Sequence, residues 1–212
     1  METLKEKLFN KIQPKRDEVK DLVKKHGDTK VGEIQLRQLY SGMRGMLSMI
    51  TETSKLDPQD GIKFRGYSLD ELLELLPKSE NGEQALPEGI FYLMLIGDLP
   101  SKEDVNMISE EWKKRAKVPD NVFKTIDSFP NDAHPMTQFS AAILALRNQS
   151  CFMNAYNNGV RKENYWDSTY EDAMNLIACL PIIASYIYRK LYRKGELIQP
   201  NFDLDWSGNF AH

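Results

Sequence analysis

Apolar positions recur at helical spacing along most of the chain. Leu4, Leu8 and Ile12 form one stripe, and a second stripe follows Pro14. Ser68 and Glu71 have the spacing of a capping box, which predicts a helix start at this point. The segment from Ile90 to Ile96 is apolar on every side, which is typical of a buried helix. The pattern predicts an all-α fold of about nine or ten helices.

The second half of the chain continues the helical pattern. Helices are predicted at 119–128 and 135–147, each opening at a proline, and then at 151–157. The longest is expected over about 165–193 with a kink at Pro181, because proline lacks the N–H of the helical ladder. Residues 204–212 resemble the start of one more helix, without a stop signal.

One small β-hairpin is expected near residues 50–64. The stretches Ile50–Ser54 and Ile62–Phe64 are strand-like, and Asp57, Pro58 and Gly61 between them are typical turn residues. No other strand is predicted.

Composition narrows the class of protein. The 212 residues carry a net charge of −3, which argues against a general nucleic-acid binder. No apolar run reaches the roughly 18 residues of a bilayer-spanning helix, so no membrane association is expected. The first 21 residues mix acids and bases without an apolar core, so neither a signal peptide nor a transit peptide is predicted.

Catalytic and metal-binding patterns are absent from the sequence. The two cysteines and three histidines lie far apart, so neither a zinc site nor a nucleophilic triad is predicted. His26 precedes Gly27, which is expected to end a helix in the left-handed conformation. His134 precedes a proline at a helix start and is interpreted as a capping residue rather than a catalytic base.

Two cationic positions could bind an anion. Arg44 lies between Gly42 and Gly45, where glycines would let a phosphate approach backbone N–H groups. Arg161 and Lys162 follow the Asn157–Gly159 turn. Composition alone leaves both positions as ordinary surface cations more often than ligand sites.

Several short segments resemble the citrate synthase family of the eukaryotic type, in order and at family spacing. These segments are Tyr40–Met46, Glu52–Ser54, Leu56–Pro58, Ile62–Ser68, Leu86–Gly89, Phe129–Pro130, His134–Met136, Tyr165–Trp166 and Leu204–Trp206. Together they extend over essentially the whole chain. The resemblance implies that residues 1–212 are the N-terminal portion of the large helical domain.

The resemblance also implies an activity and what is missing from it. The family joins acetyl-CoA to oxaloacetate and hydrolyses citryl-CoA to citrate and CoA, with two histidines and a carboxylate as acid and base groups. Those residues, the substrate arginines and the small domain have no counterpart here. The resemblance therefore implies no catalytic residue and a chain that is inactive alone.

Ligands and partners follow from the same resemblance. Arg44 and Lys162, which lies beside Arg161, match positions that contact the phosphate end of CoA. Lysine at the second position keeps the charge but loses bidentate geometry. CoA is expected as substrate, with no tightly bound cofactor and no metal. A homodimer or larger assembly through helices 119–128 and 135–147 and a location in the mitochondrial matrix are also implied.

Three interpretations remain open from the sequence. The chain is a truncated piece of a citrate synthase, a short homologue that serves as a structural or assembly subunit without catalysis, or a regulatory module that binds acyl-CoA through Arg44 and Lys162. The third is the weakest, because two cations do not enclose a ligand.

Overall fold

The computed structural model describes residues 2–47, 49–79, 82–192, 195–201 and 203–212. Helices make up 61% of it, which confirms the mainly helical prediction. The chain divides into two units: the first comprises Met1–Ala85 and Gly89–Pro100, and the second comprises Leu86–Glu88 and Ser101–His212.

The first unit contains a small sheet and the first four helices. The helices are α1 (Leu4–His26), α2 (Leu36–Tyr40), α3 (Leu69–Leu75) and α4 (Pro87–Ile96), and the strands are β1 (Ser54–Asp57), β2 (Gly61–Phe64) and β3 (Tyr67–Ser68). Pro87 and Glu88, the first two residues of α4, are assigned to the second unit. Helix α2 had no counterpart in the sequence pattern.

Helix α1 is longer than the two stripes suggested. It begins at a capping box between Thr3 and Glu6 and runs through Pro14 without interruption. The expectation of a left-handed residue at Gly27 is wrong, because its φ is −60° and its N–H donates to the Val23 carbonyl as in a continuing helix.

The predicted hairpin is present, and a third strand extends it. Strands β1 and β2 are antiparallel with Ser54 opposite Phe64, so the first strand starts later than the expected Ile50. The Asp57 carboxylate accepts from the backbone N–H groups of Gln59 and Asp60, which closes the turn. The predicted Ser68 capping box is confirmed.

The core of the first unit lies between α3, α4 and the sheet. Leu72, Leu76 and Leu93 are buried, and Phe64 and Tyr67 of the sheet pack against them. The uniformly apolar α4 pattern therefore indicated burial correctly at Leu93.

Among the described residues, the second unit is a bundle of six helices, one of which is much longer than the others. The helices are α5 (Lys102–Arg115), α6 (Asp120–Asp127), α7 (Pro135–Ala145), α8 (Cys151–Asn157), α9 (Tyr165–Leu191) and α10 (Trp206–Ala211). Helix α7 stops before the predicted 147, because a 3-10 turn begins at Leu146. The expected end of α9 at Arg193 lies outside the described residues.

Helix α9 supplies the centre of this bundle. Its buried side chains Cys179, Ile183 and Ile187 pack against Val122 and Ile126 of α6, and against Ala142 of α7. Pro181 lies inside α9 and has no N–H for the carbonyl four residues back. That carbonyl, on Ile177, accepts instead from the indole Nε1 of Trp206 at 2.9 Å.

Two leucines in the first unit test the core assignment. Leu93 is fully buried, whereas Leu56 is 75% exposed. We expect Leu93→Ala to lower the free energy of unfolding by about 3 kcal/mol through lost burial and a cavity. Leu56→Ala, the same chemical change at an exposed position, should change it by less than about 0.5 kcal/mol. Urea unfolding followed by circular dichroism measures both, and equal effects would contradict this core.

Candidate functional site

The loop that carries Arg44 is a tight left-handed turn after α2. Gly42, Met43 and Gly45 all have positive φ, at 72°, 62° and 73°. The Met43 N–H donates to the Gln38 carbonyl at 2.7 Å, which fixes the turn. The two glycines adopt this conformation without steric strain, whereas Met43 does so at a cost of about 1–2 kcal/mol.

Arg44 projects from this loop into solvent. Arg44 is exposed, and its guanidinium forms no hydrogen bond or ion pair with the residues that the structure describes. The space around Gly42 is open, since a Cβ there would meet nothing within 4 Å. An anion could therefore reach both the backbone and the guanidinium of this loop.

Arg161 and Lys162 lie in the turn between α8 and α9. Gly159 has a φ of 73°, and the Val160 N–H donates to the Ala155 carbonyl at 3.1 Å, which reverses the chain after α8. The Asn164 N–H then donates to the Arg161 carbonyl and starts the short 3-10 turn that leads into α9. Both cationic side chains are exposed.

An aromatic contact and one carboxylate join α8 to α9, the helices on either side of this turn. The rings of Phe152 and Tyr165 meet edge to face at 5.1 Å. Asp172 of α9 accepts from the Ser150 hydroxyl, the Cys151 N–H and the Phe152 N–H at 2.6, 2.6 and 3.1 Å. It thus satisfies orphan donors at the start of α8, where the positive end of the helix dipole favours a carboxylate. These bonds join α8 to α9, the two helices on either side of the turn.

The three predicted cations are distributed over both units. Arg44 belongs to the first unit, and Arg161 and Lys162 belong to the second, where they are neighbours in sequence. All three are exposed, so any anion they bind is held by charges that salt screens.

The histidines and thiols do not form a reaction centre. His134 caps α7, with its Nδ1 accepting from the Met136 N–H at 3.2 Å, as predicted. Burial raises the pKa of Cys179, whose thiol lies against the Lys117 carbonyl at 3.4 Å, and it also raises the pKa of Cys151. Raised values keep both thiols protonated and unreactive at neutral pH. The described residues contain no cluster of His, Cys, Asp or Glu able to hold a metal ion, and no helix among them is long and apolar enough to cross a bilayer.

Sequence reasoning missed the burial of an acid at the start of α4. Glu88, in the first turn of α4, is fully buried, and burial raises the pKa of its carboxyl. Its position after a helix-opening proline is typical of an exposed acid at the positive helix end, so the sequence contained no sign of burial.

Comparisons with known proteins define the family. Residues 42–212 match the family described as "Citrate synthase, C-terminal domain". The mitochondrial citrate synthase of Xiphias gladius is 49% identical over 210 residues, which cover 99% of this chain and 45% of that protein. Citrate synthase 4 of Arabidopsis thaliana, also mitochondrial, is 44% identical over 209 residues and covers 99% and 44%.

Solved structures agree with the sequence relatives. The citrate synthase of Pyrobaculum aerophilum superposes with a TM-score of 0.65 at 27% identity, covering 86% of this chain and 44% of that one. The Thermoplasma acidophilum enzyme, solved with carboxymethyl coenzyme A and oxaloacetate, shares the fold with a TM-score of 0.59 at 21% identity, over 80% and 40% of the two chains.

The chain belongs to the citrate synthase family. The family match extends from the Arg44 loop to the end of α10 and includes every helix of the second unit. The chain spans a little under half the length of the relatives it matches.

The contacts of Asp172 lead to a testable expectation. We expect Asp172→Ala to lower the free energy of unfolding by about 2–4 kcal/mol, because three donors at the start of α8 lose a charged acceptor. The matched control is Asp132→Ala, which removes an exposed acid of the same unit and should change stability by less than about 0.5 kcal/mol. Denaturant unfolding measures both, and a neutral effect at Asp172 would contradict its anchoring role.

Proposed function

We propose that residues 1–212 form the N-terminal portion of the large helical domain of a citrate synthase of the mitochondrial matrix. In that setting, Arg44 and Lys162, with Arg161 beside it, contact the phosphate end of CoA. The family match, which includes the Arg44 loop, carries the proposal. The exposed guanidinium and the open space at Gly42 support it, because a phosphate could approach without rearrangement of the loop.

The proposal assigns scaffolding and phosphate contacts to this chain, but no proton transfer. Citrate formation needs an acid and a base within hydrogen-bond reach of the reacting atoms. Among the described histidines, His26 is exposed at the end of α1, His134 caps α7 and His212 is exposed after α10. None lies beside a carboxylate that could orient it as a general base.

We therefore expect the isolated 212-residue chain not to make citrate. Thiol release from acetyl-CoA with oxaloacetate present is the measurement, using protein from a host that lacks its own citrate synthase. A full-length mitochondrial relative in the same buffer shows that the assay works. Turnover above that of heat-treated protein would contradict the proposal.

Binding of CoA to the isolated chain should be weak and sensitive to salt. Calorimetry at low ionic strength, where exposed charges are least screened, should detect it, and raising the salt to about 0.15 M should largely abolish it. Arg44→Ala should weaken binding more than Lys162→Ala, whereas Lys20→Ala, a change of the same charge on α1, should not. Tight binding that survives Arg44→Ala would rule out the assigned contact.

The same proposal includes a homodimer through α6 and α7. One face of α7 packs on the core through Gln138 and Ala142, while Met136 and Leu144 remain 58% and 74% exposed. Ser140 lies between them at helical spacing and is also exposed. A stripe of two large apolar residues around a small one allows close helix packing, which supports a second copy as its partner.

We expect the chain to be a dimer or larger, and Leu144→Lys to shift it toward monomer by placing a charge in the apolar stripe. Light scattering across a concentration series measures this shift. Asn106→Lys, which places the same charge on the exposed surface of α5, is a control for charge alone. A monodisperse monomer at high concentration that unfolds cooperatively would show that the stripe needs no partner.

A further inference from the structure

Gln38 is the most enclosed residue of α2 and of the loop that follows it. Every other residue from Asp21 to Gly45 is exposed, whereas Gln38 is half-buried. This arrangement reverses the usual one, because Leu39 and Tyr40 beside it are 57% and 88% exposed, and glutamine is ordinarily a surface residue. The loop is therefore organised around a polar side chain rather than an apolar core.

The side-chain amide of Gln38 has one favourable orientation. Its Oε1 accepts from the Gln35 N–H at 2.8 Å, and its Nε2 donates to the Arg44 carbonyl at 3.4 Å. The opposite orientation would bring an oxygen to the carbonyl and an NH2 group to the N–H, so neither bond could form. Gly45 lies against the same nitrogen, since a Cβ there would be 3.9 Å from it. The amide thus connects the N-cap of α2 to the loop after its last turn.

The backbone of Gln38 accounts for only the first part of the left-handed turn. Its carbonyl accepts from the Met43 N–H, with the left-handed Gly42 between them, as is common where a helix ends. Any residue at position 38 would supply that carbonyl. Met43 is left-handed too, which methionine adopts only at a cost, so a further contact is needed to hold it. The bond from Nε2 to the carbonyl of the next residue, Arg44, supplies that contact.

We propose that Gln38 is a positioning residue for the phosphate contact of Arg44. Its side-chain amide holds Met43 in the left-handed conformation and thereby fixes the direction in which Arg44 leaves the loop. The inference rests on the CoA contact proposed above for Arg44. A single exposed guanidinium binds an anion better when the loop beneath it is already ordered, because less conformational freedom is lost on binding.

Two substitutions separate this role from that of a helix cap. Gln38→Met keeps an unbranched side chain but removes both hydrogen bonds. Gln38→Glu keeps an oxygen for the Gln35 N–H and has no donor for the Arg44 carbonyl at neutral pH. A residue that served only as a cap would therefore be replaced by glutamate without loss. Gln59→Met, the same change in the exposed turn between β1 and β2, is the matched control.

NMR spectroscopy of the 212-residue chain without ligand measures the loop conformation. The nuclear Overhauser effect between the amide and α protons of Met43 is strong at positive φ and weak at negative φ. We expect it to be strong in the unmodified chain and in Gln59→Met, and weak in Gln38→Met and Gln38→Glu. Gln38 lies outside the core of the first unit, so its variants should fold. A strong effect that persists in either Gln38 variant would overturn the proposal.

CoA binding, measured by calorimetry at low ionic strength, links the conformation to the phosphate contact. Gln38→Met should weaken binding by up to about fivefold, the scale of an exposed charge contact. Arg44→Ala should add little to this loss, because the guanidinium is already misdirected. In a Met43→Gly background, Gln38→Met should cost less, because glycine adopts positive φ unaided.

The two possible failures are distinguishable. Fully additive losses from Gln38→Met and Arg44→Ala would overturn the positioning role and leave the CoA contact of Arg44 in place. If Arg44→Ala does not weaken binding in the otherwise unmodified chain, the CoA contact fails and the positioning role fails with it.

Discussion

The second unit depends on the burial of α9. Met174, Ala178, Ile183 and Ile187 leave almost no surface exposed, and α5, α7, α8 and α10 all pack against this helix. Such burial excludes water from the α9 backbone, so a carbonyl without a helical donor must find a protein partner. The carbonyl of Ile177 finds one in the indole N–H of Trp206, which fixes the start of α10 against α9.

The carboxyl groups of Asp172 and Glu88 have different surroundings in this bundle. Asp172 is half-buried and accepts from three donors, which stabilises the start of α8. Glu88 is fully buried, and the Ser109 hydroxyl is its side-chain donor. Burial raises the pKa of Glu88 above its ordinary value.

The sequence predicted the helices that begin with strong local chemistry. Ser68 and His134 each cap the helix expected of them, because a cap involves only neighbouring residues. The sequence did not predict the features that depend on contacts between residues far apart in the chain. The strand at Tyr67–Ser68 exists through its pairing with β2, and Glu88 is fully buried and bonded to Ser109 of α5, 21 residues further along the chain. The cationic positions were found by their glycines and their family segments, but exposure alone does not distinguish a ligand contact from a surface charge.

The far end of α1 has a consequence for how the chain responds to heat. From Asp17 to His26 every residue is exposed, and the visible support is local, such as the ion pair between Lys25 and Asp21 at 2.6 Å. A stretch of this length gains little from such pairs and obeys a helix–coil equilibrium rather than the cooperative transition of a core. Its ellipticity should therefore decline gradually on warming from the His26 end, producing a sloping native baseline before the main transition.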